Sequence, residues 1–214
     1  MICVFVDMTN STALSAATHD RRTAGAYQLF TDTAVRLFDK FEAPYIDVRG
    51  DGVFALFDSG QSYRALAAAV SFRTFASEEF TPRLKADTDL ELKAHVGIDR
   101  KTVLVKKLGL RKYGGRTDRQ NEVWAGKPVN MAAKLATLAE PGELLVSDRY
   151  YNTIPDERAR LSCGCPSGEK LLLWAEVGLA EDARFDFDKA HRLKSCWCPT
   201  HGDEYCESVL KLDD

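Results

Sequence analysis

Two carboxylates stand at positions where strands end. Asp7 follows the β-rich apolar run Ile2–Val6, and Asp51 lies in Arg49-Gly50-Asp51-Gly52, between the β-rich runs Tyr45–Val48 and Val53–Phe57. Asp-Gly between two such runs signals a hairpin. If the first strand lies beside that hairpin, the carboxylates meet, and they form a donor set for hard divalent cations whose other ligands are water and phosphate oxygens. Thr9-Asn10-Ser11-Thr12 follows Asp7 directly and has turn and helix-cap chemistry. Its hydroxyls, with the N–H groups of a helix N-terminus, favour phosphate. Nucleotide plus metal is the chemistry these residues suit. On the residues alone a second reading stands beside it, in which Asp7 caps a helix and Asp51 completes an Asp-Gly turn.

The elements needed to position these groups can be read along the chain. The apolar residues Ala26, Phe30, Leu37, Phe38 and Phe41 have helical spacing, which predicts a helix from near His19 that stops before Pro44. Residues 62–80 have helical composition, and 89–98 and 102–108 read as strands. The resulting β-α-β-β-α-β order is of ferredoxin type, an α/β (α+β) fold. Gly109–Asn121 is basic and Gly-rich, a loop or an exposed hairpin arm. Val129–Ala139 reads as a short helix closed by Pro141-Gly142, Glu143–Ser147 as a strand, and Leu171–Val177 as a last strand. The expected organisation is a catalytic domain over 1–177 and a Cys-rich extension over 178–214.

Composition narrows the partners. The 214 residues are 45% hydrophobic and 29% charged, and 29 basic against 32 acidic side chains leave a formal net charge of -3. This is a globular composition without the field that draws a protein onto nucleic acid or an anionic membrane. No run approaches the roughly 18 apolar residues of a membrane span, and Asp7 comes too early for a signal peptide, so a cytoplasmic protein is expected. Of the six cysteines, Cys3 sits in the first apolar run and the others begin at Cys163. Cys163, Cys165, Cys196, Cys198, His201 and Cys206 are spaced closely enough to suggest a structural Zn²⁺, although Cys-x-Cys is less usual than Cys-x-x-Cys. Reduced thiols in a lid or dimer contact are the other reading.

Three segments then carry a family resemblance: Phe5-Val6-Asp7-Met8-Thr9-Asn10-Ser11-Thr12, Arg49-Gly50-Asp51-Gly52-Val53-Phe54-Ala55-Leu56-Phe57 and Gly126-Lys127-Pro128-Val129-Asn130-Met131-Ala132-Ala133-Lys134-Leu135. Their order and spacing resemble the class III nucleotidyl cyclases over residues 2–177, including His95-Val96-Gly97-Ile98-Asp99. The resemblance implies a head-to-tail homodimer and two Mn²⁺ or Mg²⁺ ions held by Asp7, Asp51 and the Met8 carbonyl. It also implies that Asn130 and Lys134, supplied by the other chain, make the ribose and transition-state contacts. Lys134 replaces the family's arginine and lacks its planar fork. Lys170 lies near where the family has a triphosphate lysine.

The base-reading positions depart further from the purine cyclases. Asp47 and Val123 occupy the places of the lysine and the Asp or Thr that accompany ATP. A carboxylate at 47 accepts from an imino N–H, which uracil and guanine have and cytosine lacks. Tyr45 and Arg49 share strand parity with Asp47, the first suited to stacking on a base and the second to donating to a carbonyl. The compact chain, with Asp7 so near its start, resembles the Pycsar pyrimidine cyclases of bacterial antiphage defence. The expected function is a uridylate cyclase making 3′,5′-cyclic UMP from UTP, with the product read by a separate effector protein. Guanylate or cytidylate cyclase is the near alternative, and a degenerate nucleotide-binding regulatory domain is the alternative of another class.

Overall fold

A computed structural model of the chain describes the backbone of residues 1–110 and 119–214, and their side chains except at 108, 110, 119–123 and 125. Strand β1 (Ile2–Met8) is flanked on both sides by antiparallel partners, β3 (Gly52–Phe57) and β4 (Ala94–Arg100). A strand so enclosed has no wet edge, which explains its nearly continuous apolar run. β2 (Tyr45–Arg49) forms the outer edge and pairs with β3 through the hairpin at Gly50, whose φ of 67° lies in the left-handed region. The sheet continues past β4 to β7 (Leu144–Ser147), β9 (Lys189–Leu193) and β8 (Trp174–Gly178), giving the order β2-β3-β1-β4-β7-β9-β8. Among the described strand pairs only β4 and β7 are parallel.

The two faces of this sheet are built differently. Even-numbered β1 residues Ile2, Val4 and Val6, with Val53, Ala55 and Phe57, pack under α2 (Asp20–Lys40) and α3 (Ser62–Phe75). Phe30 of α2 sits edge-on to Phe72 at 5.0 Å and to Phe80 at 5.2 Å, a geometry aromatic quadrupoles favour. The odd-numbered residues face α5 (Lys127–Leu138), which presses Ala132 and Ala136 against β4. Contact is so close that a Cβ on Gly97 would stand 2.0 Å from the Ala132 carbonyl oxygen, so only glycine fits there. β5 (Leu104–Leu110) and β6 (Arg119–Ala125) pair into a separate two-stranded arm. The short helices α1 (Ser11–Ala17), α4 (Thr81–Thr88), α6 (Asp148–Tyr151) and α7 (Glu157–Arg160), with α8 (Gly202–Leu210), complete the described elements. Among the described residues no helix is long and apolar enough to cross a membrane.

Several expectations are corrected. Residues 62–80 are not one helix: α3 ends at Phe75, a π-helical turn covers Ala76–Phe80, and α4 begins where Pro82 is tolerated in a first turn. The strand expected over 89–98 starts only at Ala94, because Asp89 takes a left-handed φ of 59° that closes α4. The strand expected from Leu171 starts at Trp174, and Leu171 and Leu172 are exposed. The boundary at 177 does not divide the sheet, since β9 lies between β7 and β8. Buried Arg73 ties α3 to that later segment, donating to the carbonyls of Gly142, Leu193, Lys194 and Ser195 at 2.8–3.1 Å. Four acceptors offset the cost of burying its charge. Asp213 then accepts from the N–H groups of Tyr63 and Arg64 at the start of α3.

Candidate active site

Register alone gathers four of the candidate residues on the α5 face. Phe5 stands opposite Phe54 and Gly97, and Asp7 opposite His95. Asp47 stands opposite Phe54, and Tyr45 opposite Leu56. Residues opposite one another in antiparallel strands share a side. Asp7, Asp47, Tyr45 and Arg49 therefore project from the same face.

Asp7 and Asp51 are brought close enough to sense each other. The Asp7 carboxyl is pushed up to about 6 by partial burial and then by the charge of Asp51, against a hydrogen bond from the Met8 backbone. Space between strand and turn is set by Gly52, where a Cβ would stand 3.2 Å from Asp7 Oδ1 and 2.9 Å from the Phe5 ring. Two mutually repelling carboxylates beside a gap that any larger residue would fill suit a hard divalent cation, which relieves the repulsion and prefers oxygen donors. The donor set therefore fits the metal that the sequence implies. Met8 is buried and brings only backbone atoms to this place.

The polar turn after Asp7 divides into two parts. Thr9 is 5% exposed, its N–H donates to the Lys93 carbonyl at 2.8 Å, and its Oγ1 accepts from the Lys93 N–H at 2.8 Å. It pins β1 to the segment before β4, which takes its N–H out of the expected phosphate-binding group. Asn10 is exposed at φ 54° and its carbonyl accepts from Leu14, starting α1. Ser11 and Thr12 form the first turn of α1, where N–H groups have no intrahelical acceptor.

At the edge strand, Arg49 Nε donates to Asp47 Oδ2 at 2.7 Å, so the two residues act as one donor-acceptor pair. Tyr45 has its ring 4.4 Å from that of Trp124, at an interplanar angle of 35°, and 6.0 Å from Phe54. Trp124 covers one side of the tyrosine that was expected to stack on a base. The indole N–H of Trp124 is buried and finds no acceptor among the described residues. Sequence reasoning passed over Trp124 because a tryptophan in an arm strand carries no motif. The side chain of Val123 lies outside the described residues.

Asn130 and Lys134 are one turn apart on α5, on the side of the helix away from the sheet-facing Ala132 and Ala136. Lys134 Nζ donates to the Arg184 carbonyl at 2.8 Å. Nearby, Asp186 joins Lys101 (2.8 Å), Lys127 (3.0 Å) and Arg149 (2.9 Å), and Arg149 also clamps fully buried Asp99. Burial opposes ionisation of Asp186, yet the hydrogen bonds from Lys101 and Lys127 and the charge of Arg149 hold its carboxyl well below the ordinary range. This network fixes the start of α5 against the 182–187 loop.

Lys170 is not brought to this group within one chain. It is exposed on the loop before β8, whereas the carboxylates sit near β2 at the other end of the sheet. Cys163, Cys165, Cys198 and His201 converge there, but Cys196 and Cys206 stand outside the cluster, which corrects the six-residue expectation.

No family model matches the chain. A uridylate cyclase of Micromonospora echinofusca is 34% identical over 98% of this chain and 69% of its own length. A uridylate cyclase of Propioniciclava tarda is 36% identical over 98% of this chain and 68% of its own length. Among solved structures, the guanylate cyclase domain of RhGC from Catenaria anguillulae in complex with GTP superposes with a TM-score of 0.69. It is 15% identical and covers 91% of this chain and 96% of that domain. With a cyclase fold, paired carboxylates at its strand ends and 34–36% identity, over 98% of its own length, to two uridylate cyclases, the chain belongs to the uridylate cyclase family of nucleotidyl cyclases.

Proposed function

We propose that the chain converts UTP to 3′,5′-cyclic UMP and pyrophosphate in a head-to-tail homodimer with two shared sites. The observation that carries this reading is the pairing of Asp7 with Asp51 on the sheet face that also bears the Asp47–Arg49 pair. Asp7, Asp51 and the Met8 carbonyl would hold two Mg²⁺ or Mn²⁺ ions, which when bound acidify the ribose 3′-hydroxyl and offset the triphosphate charge. The first-turn N–H groups and hydroxyls of Ser11 and Thr12 orient the phosphates. Asn130 positions the ribose, and Lys134 offers its charge to the phosphoryl oxygens as pyrophosphate leaves.

The dimer is supported by direction. Asn130 and Lys134 lie on the far side of α5 from the face that bears Asp7, so a whole helix separates the two groups within a chain. A second chain brings them together. Mixing Asp51→Ala and Lys134→Ala chains, each inactive, is expected to restore activity at one of the two sites. Heterodimers without recovery would overturn the shared site.

Base choice is supported by hydrogen-bond sense. Asp47 accepts from uracil N3–H while Arg49 donates to the adjacent carbonyl, and the bare N1 of adenine would face a carboxylate. Guanine shares the imino donor, and its adjacent amino group is also within the accepting capacity of the same carboxylate, so uracil and guanine are separated by experiment. The deciding experiment offers each of the four ribonucleoside triphosphates with Mn²⁺ and identifies products by mass. Cyclic UMP as the main product is expected. Cyclic GMP as the main product would overturn the base assignment, and no cyclic product from any of them would favour a binding-only role. The proposed setting is the cytoplasm, with cyclic UMP signalling to a separate effector during antiphage defence. Loss of protection against phage in Asp7→Ala cells is the matching test.

A further inference from the structure

We propose that Cys163, Cys165, Cys198 and His201 form a structural zinc site that rivets the loop after α7 to the segment entering α8. The four ligand atoms all lie within 4.8 Å of one another. Cys165 Sγ is 3.1 Å and Cys198 Sγ 4.0 Å from His201 Nδ1. Zinc bonds of about 2.3 Å to sulfur and 2.0–2.1 Å to nitrogen imply tetrahedron edges of roughly 3.5–3.8 Å. The cluster brackets that size, so coordination needs side-chain adjustment rather than backbone movement.

Both loops are built to present these groups. Between the first two cysteines, Gly164 has φ 90° and its carbonyl accepts from Gly168 N–H at 2.6 Å, and a Cβ at 164 would stand 2.9 Å from the Gly168 carbonyl oxygen. In the second segment the Cys198 carbonyl accepts from Gly202 N–H at 2.7 Å, which folds His201 back toward Cys198. Three thiols and one imidazole fill a tetrahedron and leave no open position for substrate, as structural zinc requires. A disulfide would use two of the thiols and leave the third and the imidazole unexplained. Packing beside the cluster is incomplete: a cavity of about 290 Å³ lies there, lined in part by Leu66, Val70, Trp197 and Tyr205. A metal cross-link would add to the apolar contacts that Trp197 and Tyr205 make with the main core at this junction.

The test uses the full chain purified with reductant and without chelator. Elemental analysis is expected to find one zinc per chain, lost in Cys163→Ser and Cys198→Ser but kept in Cys206→Ser and in Asp7→Ala. The last variant separates this ion from any bound at the paired carboxylates. Should the cluster variants prove insoluble, the wild type decides: after zinc removal, Co²⁺ should produce the visible bands of tetrahedral cobalt with thiolate charge transfer, and Zn²⁺ should bleach them. Chelation should also lower the melting temperature. Protein from zinc-supplemented cells without stoichiometric zinc, or a cobalt spectrum lacking thiolate charge transfer, would overturn the proposal. So would equal zinc loss in Cys206→Ser.

Discussion

The two faces of β1 do opposite work within seven residues. Ile2, Val4 and Val6 are fully buried under α2 and α3 in the main apolar cluster, where the contribution is stability. Cys3, Phe5 and Asp7 look the other way, and there the same strand spends stability by holding a carboxylate beside a second one. A dry face thus gives the site its rigidity. Because side chains alternate with a period of two, a single register fixes both at once.

This contrast can be broken most severely at Asp7. Asp7→Ala should lower cyclase turnover by on the order of a thousandfold or more, about 4 kcal/mol of barrier. Its melting temperature should hold or rise, since a repelling carboxylate is removed. On the dry face the split reverses. Phe30→Ala removes a fully buried ring and should cost about 3–5 kcal/mol in denaturant unfolding while the folded fraction keeps its kcat. Equal loss of turnover in both variants, once corrected for folding, would show that the faces are not separable.

Smaller effects sharpen the picture on the α5 side. Asp47→Asn should reduce kcat/KM for UTP tenfold to a hundredfold, roughly 1.5–3 kcal/mol for a charge-assisted bond, with CTP turnover spared. A parallel fall for both would mean that Asp47 serves mainly to hold Arg49. Gly97→Ala forces α5 outward and should cost about 1–3 kcal/mol of stability together with part of the activity, since Asn130 and Lys134 ride on that helix. The smallest effect concerns acid. Asp186 has a depressed folded-state pKa, so its contribution is present above the unfolded carboxylate value of about 4 and is lost as pH falls below it. Asp186→Asn should therefore flatten the decline of stability below about pH 4, measured by urea unfolding across pH.

Much of the site-bearing half was legible from sequence because its signals are local. The apolar run before Asp7, the Asp-Gly hairpin and the helical spacing of Phe30 and Phe38 depend on near neighbours, and all three elements form as read. β9 was not legible. Lys189-Ala-His-Arg-Leu193 looks like a polar segment, yet His191 stacks on Tyr151 at 3.7 Å and contacts Asp148 at 2.9 Å, while Arg192 pairs with Glu143 at 3.0 Å. Those partners are distant in sequence, so their compensation cannot be seen in a window. The same holds for Thr9, whose hydroxyl resembles phosphate chemistry until Lys93 is found beside it. Lys134 keeps the motif's place on α5, but its carbonyl partner at Arg184 comes from the region the motif does not cover.

The position of β9 has a consequence for how the molecule is made. β8 precedes β9 along the chain but reaches the rest of the sheet only through it, since β9 pairs with both β7 and β8. During synthesis, the strands from β1 to β7 can assemble as they leave the ribosome, whereas β8 must wait with its hydrogen-bonding edge open until residues 189–193 emerge. Its exposed neighbours Leu171 and Leu172 wait with it. An unpaired edge with exposed apolar neighbours is a site for aggregation and proteolysis, so that interval is a point of vulnerability for the nascent chain that the stability of the finished fold does not reveal.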